Sequence, residues 1–262
     1  MNATAVTAPS RPVVRSITVD DIYHALATGW ADFRAAPQFG LFFGGVYAAA
    51  GILILLQLWV WDQPLWILPL ALAFPLIGPF AAIGLYEVSR RREAGLPLDW
   101  SEILDVVWRE RHRQIPTMAF VVLAGFLIWL WAARLMVALF LGRMSSATYS
   151  DLGAVLTSGN GLIMLAVGTA VGGAIAFVLY AITAVSLPML MEREIDVVTA
   201  MATSFNAVMA NLRPMLTWAA IIAAGLVVAM VPFFLGLVVA LPVLGHATWH
   251  VYRKVIAPEG EI

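Results

Sequence analysis

Stretches of apolar residues long enough to cross a bilayer constrain this chain more than any other feature. A hydrocarbon core of about 30 Å needs roughly 20 such residues as helix. Runs of about that length lie at Phe39 to Trp61, Leu65 to Val88, Thr117 to about Met136, Gly161 to about Leu187, Met215 to Val231, and Phe233 to Tyr252. The second run carries Glu87 only near its end. The expected fold is therefore all-α, a polytopic membrane protein with six transmembrane helices. Composition agrees: 62% of the 262 residues are hydrophobic and 12% charged, against about 45–50% and about 25% in an ordinary soluble domain.

The last two runs are separated only by Pro232, and the first two by the turn Asp62-Gln63-Pro64, so the runs are expected to pair as three hairpins. Sorting the basic residues by connection puts Arg11, Arg15, Arg34, Arg90, Arg91, Arg92, Arg109, Arg111, Arg113, Arg193, Arg213, Arg253 and Lys254 on one side, with Arg143 alone clearly opposite. The positive-inside rule then puts both termini in the cytoplasm, across a bacterial inner membrane. Residues 1–38 hold no apolar core of the signal-peptide kind, so the first run itself is the insertion signal. Trp59, Trp61 and Trp66 bracket the first outer turn, while Trp249 and Tyr252 mark the inner end of the last run, as interfacial aromatic belts do. Arg134, beside Trp129 and Trp131, is placed to snorkel to outer headgroups. Leu135 to Gly142 then extend that helix, and Arg143 to Asn160 form the sizeable outer loop.

An amphipathic leader precedes each hairpin and is expected to lie flat or half-buried at the interface. The first sets Ile22, Leu26, Trp30 and Phe33 against Asp21, His24 and Asp32. The second sets Ile103, Leu104, Val107 and Trp108 against Glu102, Arg109, Glu110 and Arg113, with Asp99 and Glu102 spaced as a capping box. The third sets Val197, Met201, Phe205, Val208 and Leu212 against Thr199, Thr203 and Asn206. Pro37, Pro116 and Pro214 end the leaders, where a helix breaks and the chain can turn into the bilayer. The expected organisation is a disordered tail over 1–16, one membrane domain over 17–256 built of repeat-like units 17–95, 98–192 and 195–256, and a tail over 257–262.

Ala73-Phe74-Pro75-Leu76-Ile77-Gly78 in the second run echoes Ala240-Leu241-Pro242-Val243-Leu244-Gly245 in the sixth. Packing is the favoured reading of these Pro-Gly pairs, and a transport hinge the other. Gly40, Gly44 and Ala48, and again Gly168 with Gly172, repeat every four residues as faces where helices can approach closely.

The inner rim holds the most specific side chains. Tyr86, Glu87, Arg90, Glu192, Arg193, His246, His250 and Arg253 meet there if the hairpins form a bundle, making a candidate site for an anionic headgroup or a partner. The alternative is a ring of ion pairs that only fixes depth. At this point GLYEVSRRREAG, SLPMLMEREIDVVTAMATSF and LPVLGHATWHVYRK resemble the bacterial integral membrane family known as domain of unknown function 2189. The resemblance runs over nearly everything after the first sixteen residues. It implies a polytopic inner-membrane protein, and some members carry a cytochrome c oxidase label.

That label meets a chain with four His in all, of which only His246 and His250 lie in a span, too few for a haem-copper centre. No metal or other cofactor is expected, although two His four residues apart leave a haem- or metal-binding redox protein as one alternative. A net charge of −1 disfavours nucleic acid as a partner, and the absence of Cys removes thiolate chemistry and disulfides. No Asp or Glu sits mid-span, which weakens coupled transport, and no nucleotide-, peptide- or ester-hydrolysis motif is present. The leading expectation is a non-enzymatic accessory or assembly component of a membrane complex, a respiratory one in the sense that the oxidase label suggests. Its partners are the lipid bilayer and a membrane-protein complex or further copies of itself. An uncoupled small-molecule or lipid transporter is the second expectation.

Overall fold

A computed structural model of the chain describes residues 12–59, 67–142, 153 and 157–258. It is all-helical, 84% helix, with no strand among the described residues. Trp61, the Asp62-Gln63-Pro64 turn, Trp66, Arg143 with most of the loop behind it, and the outermost parts of both tails fall outside these residues. In chain order the helices are α1 (Val19–Ala35), α2 (Pro37–Trp59), α3 (Ile67–Glu93), α4 (Trp100–Glu110) and α5 (Ile115–Leu141), followed by α6 (Gly159–Thr183), α7 (Ser186–Glu192), α8 (Val197–Ala210), α9 (Leu212–Met230) and α10 (Leu237–Val255).

Four stretches are long and apolar enough to cross a membrane: Pro37–Gln57, Ile115–Leu141, Gly159–Glu192 and Leu212–Met230. Helix α10 is not among them, because its second half, from His246 to Lys254, is largely polar. That count covers described residues only, and side chains in the first turns of α3 fall outside them. The sixth apolar run also starts later than its sequence suggests. Residues 231–236 form a turn, and Phe233 and Phe234 take φ of 52° and 67°. That left-handed backbone costs a non-glycine residue about 1–2 kcal/mol. Phe234 is held there by close contact with α2, where a Cβ on Gly51 would lie 2.5 Å from the Phe234 ring.

The chain forms two compact units, Met1–Phe120 with Ala181–Ile262, and Val121–Tyr180. In the first, α10 is central and packs on α1, α2, α3, α7 and α9. Small residues permit this. A Cβ on Gly29 of α1 would lie 2.5 Å from the Ala247 backbone nitrogen, and one on Gly84 of α3 would lie 2.1 Å from the Phe43 ring. Gly40 and Gly44 of α2 receive Pro242, so this small-residue face and one mid-helix proline interlock within the chain. Val14 and Ile256 form an antiparallel bridge, and Asn211 accepts from the Ile17 amide at 2.8 Å and donates to the Arg15 carbonyl at 3.0 Å. The beginning of α1, the end of α10 and the α8–α9 corner are thereby joined.

Each leader ends at its proline: Pro37 opens α2, Pro116 is the second residue of α5, and Pro214 lies in the first turn of α9. The faces turned to neighbouring helices keep Ile22, Phe33, Ile103, Val197 and Val208 of the apolar stripes and otherwise depart from them. Helix α1 buries Ile22, Ala25, Gly29, Asp32 and Phe33, while Trp30 stays 44% exposed. Helix α4 buries Ile103, Val106 and Glu110 and exposes Leu104 and Trp108; α8 buries Ala200, Thr203, Ser204 and Ala207 and exposes Phe205. Small and hydrogen-bonded residues let the leaders seat closely on their neighbours, which turns the bulkiest aromatics outward. Asp99 makes no side-chain cap, and the Glu102 side chain binds Arg91. A capping box does form at Thr18 and Asp21 of α1.

Candidate functional site

Two polar constructions occupy the first unit where α3 and α10 end. One is a buried lock. Asp32 on α1 is 4% exposed, and its Oδ2 accepts from Ser89 Oγ and His250 Nε2, both at 2.7 Å. Its Oδ1 accepts from Arg92 Nε at 2.7 Å. Burial raises the carboxyl's pKa, but the hydrogen bonds from His250, Arg92 and Ser89 outweigh it and hold the group below its ordinary 3.8. Ser89 gives its single proton to Asp32, so its oxygen accepts from Nδ1–H of His246 at 2.8 Å. His246 Nε2 is buried with no hydrogen-bond partner. Nearby, Lys254 Nζ donates to Asp21 at 2.9 Å, and with the Thr18 hydrogen bonds this lowers Asp21 to about 2.

The other construction is a cleft of about 670 Å³. Helix α3 lines it with Glu87, Arg90, Glu93 and Ala94, and α4 with Val106, Arg109 and Glu110, followed by Arg113. Met191 and Glu192 come from the end of α7, with Glu194 just beyond, and Trp249 and Arg253 come from α10. Its guanidiniums are already engaged. Arg90 binds Glu87 through Nε and Nη2, both at 2.7 Å, and Arg113 reaches Glu110 at 2.6 Å and Glu194 at 2.7 Å. Arg253 reaches Glu93 at 3.0 Å and Glu192 at 3.1 Å, and Arg109 meets exposed Asp105 at 3.2 Å. Trp249 Nε1 donates to Glu93 at 3.0 Å, and Tyr252 donates to Glu192.

Of the eight residues expected at the rim, Glu87, Arg90, Glu192 and Arg253 line the cleft. His246 and His250 belong to the Asp32 lock, where His246 meets Ser89 and not Glu87, whose carboxylate is held by Arg90 and Arg91. Arg193 is buried and donates to the Tyr252 hydroxyl and the Ala257 carbonyl, and Tyr86 is buried in α3. The expected single cluster is therefore two neighbouring ones.

The second unit holds a different feature, an open groove of about 540 Å³ between α5 and α6. Trp129, Ala132, Ala133 and Met136 face Gly168, Gly172 and Ala176 across it. A Cβ on Gly168 would come no nearer than 3.9 Å to Met136 and one on Gly172 no nearer than 3.4 Å to Trp129, so this small-residue face is approached less closely than Gly40 and Gly44 are. Nothing in the apolar window of either helix is buried.

Residues 67–192 match DUF2189, a predicted integral membrane protein family. No curated protein and no solved structure matches the chain. The resemblance read from the sequence is borne out over this segment, which is shorter than the span that reading gave it. The DUF2189 segment runs from α3 through α7 and supplies the cleft with all but Glu194, Trp249 and Arg253. Within it, Ser89, Glu93, Glu110 and Arg113 were not among the residues expected at the rim. Glu110 could have been found: Ile103, Val106 and Glu110 follow the three-then-four spacing of one helix face. Asp32, outside the DUF2189 segment, shares its face with Ala25 and Gly29 by the same spacing.

Proposed function

We propose that this integral membrane protein crosses a bacterial inner membrane six times as three hairpins, with both termini cytoplasmic and a leader at the interface before each hairpin. We infer that its work is interaction, as a non-catalytic accessory or assembly component of a membrane complex. The observation that carries this reading is the contrast between the two small-residue faces. Gly40 and Gly44 are filled by Pro242, while Gly168, Gly172 and Ala176 line an open groove in a helix pair that buries nothing of its apolar windows. In lipid no hydrophobic effect draws helices together, so small residues matter where they allow backbones to approach. An open face of this kind suits a transmembrane helix from another chain.

The test is purification from native membranes in mild detergent. The wild type should carry another integral membrane protein at fixed stoichiometry, and Gly168→Leu should lower that recovery at least tenfold without changing the thermal midpoint, because the groove has room for the side chain. A wild-type protein that emerges alone, or equal recovery with Gly168→Leu, would defeat the reading.

A further inference from the structure

The cleft at the ends of α3, α7 and α10 is lined by more carboxylates than guanidiniums, with Arg91 behind the lining also holding Glu87. Five carboxylates, Glu87, Glu93, Glu110, Glu192 and Glu194, stand against the four guanidiniums of Arg90, Arg109, Arg113 and Arg253. An anionic ligand would have to displace a carboxylate from an arginine that already has one. A donor of hydrogen bonds would not. Glu110 is 4% exposed; one of its oxygens takes Arg113 at 2.6 Å, and the other is buried with no hydrogen-bond partner. A buried carboxylate oxygen without a donor is costly to keep, so a ligand that supplies the missing N–H gains what the empty cleft lacks.

We propose that this cleft binds a ligand bearing a primary ammonium group, which Glu110 receives and Glu194 helps to draw in. A bare metal ion does not suit the site, since no group of three or more His, Cys, Asp or Glu among the described residues is placed to hold one. A primary ammonium needs only separate carboxylates, one for each N–H, and its carbon neighbours can lie on Val106, Met191 and Trp249. Among the described residues Arg109 has only the exposed Asp105 at 3.2 Å as an ion-pair partner, so it is the guanidinium freest to swing toward an anionic group carried next to the ammonium. The ligand class is thus a zwitterion of the phosphoethanolamine kind, either as the headgroup of a phospholipid or as a free molecule.

The test reads lipid retention and thermal midpoint on the full chain in nanodiscs. Phosphatidylethanolamine and phosphatidylcholine of identical acyl chains differ only at the nitrogen, where the three methyl groups of choline replace every N–H and enlarge the head. Retention of phosphatidylethanolamine at least tenfold above phosphatidylcholine through delipidation identifies a lipid headgroup. A midpoint raised by soluble phosphoethanolamine, with the two lipids retained alike, identifies a free ligand. In either case Glu110→Gln should remove the preference, since it keeps an oxygen for Arg113 but loses the charge. Glu194→Gln, at a side chain 89% exposed and harmless to folding, should weaken the preference two- to fivefold. No discrimination between the lipids together with no response to phosphoethanolamine, or a preference unchanged in both variants, would overturn the proposal.

Discussion

Replacing Asp32 with Ala removes the acceptor for three hydrogen bonds at once, from Ser89, His250 and Arg92. Breaking a buried pair by deleting one partner typically costs about 3–5 kcal/mol. The lower end applies here, because the Arg92 side chain is 32% exposed and water can take part of its loss. His250, 15% exposed, has less relief. At about 3 kcal/mol, and about 2–4 °C per kcal/mol for a chain of this size, the thermal midpoint in detergent should fall by about 6–12 °C. Asp32→Asn, which keeps the shape but not the charge, should fall by about half as much. The sign with pH is fixed as well. A carboxyl held below its ordinary 3.8 stabilises the fold fully above that value and loses the contribution as the pH falls below it. Wild-type stability should therefore drop more steeply than that of Asp32→Asn below about pH 4. In a double-mutant cycle, His250→Ala should cost at least 1 kcal/mol less in the Asp32→Ala background. A midpoint shift under 2 °C, or additive single effects, would refute the idea that this carboxylate ties α1 to α3 and α10.

Gly29→Val should loosen α1 from α10, since its Cβ meets Ala247 backbone that cannot rotate away; overpacking of about 1–3 kcal/mol or more should appear as a lower midpoint. Gly45→Ala, with nothing within 4 Å of its new Cβ, is the control and should be neutral or slightly stabilising. For the proposed interfacial leaders, the stripe Trp100, Leu104 and Trp108 on α4 is 39%, 41% and 61% exposed, and Arg111 stacks on Trp108. Brominated lipids should quench a single tryptophan retained at position 108, and loss of quenching only on deep-chain bromination would place it at headgroup level. No quenching at any depth would put α4 in water.

The apolar runs were legible because lipid demands length and apolarity, which composition shows directly. The leaders' proline boundaries were legible for a related reason, since a backbone rule operates locally. Their inward faces were not. Periodicity put Trp30, Leu104, Trp108 and Phe205 on the stripes expected at the interface and named no face toward the neighbouring helices; all four are exposed. On a helix at the interface, as we propose for the leaders, an aromatic need not hide from its surroundings, so the inward face is decided by how closely two backbones can approach. Gly29 against Ala247 and Ala207 within α8 answer that requirement better than a tryptophan. The eight rim residues were found because ionisable groups at span ends are conspicuous, but their partners were not. Asp32 lies 57 residues from Ser89 and 218 from His250, and no local pattern announces a hydrogen bond over that distance.

The same distances say why so many polar groups gather at one end of the first unit. Helices α1, α3 and α10 are brought together by contacts that are mostly apolar or small, and such contacts leave sliding and rotation cheap. Hydrogen bonds from three elements to a single carboxylate do not, because a rotation of α10 by one residue, about 100°, takes His250 off Asp32 entirely. Trp249 and Arg253, on either side of His250, are held in the same way by Glu93. The lock and the cleft are thus two faces of α10 fixed by one orientation. Arg253 and Trp249 line the cleft on the very helix that Asp32 pins, which makes the Asp32 variants a sensitive background in which to measure occupancy of the cleft.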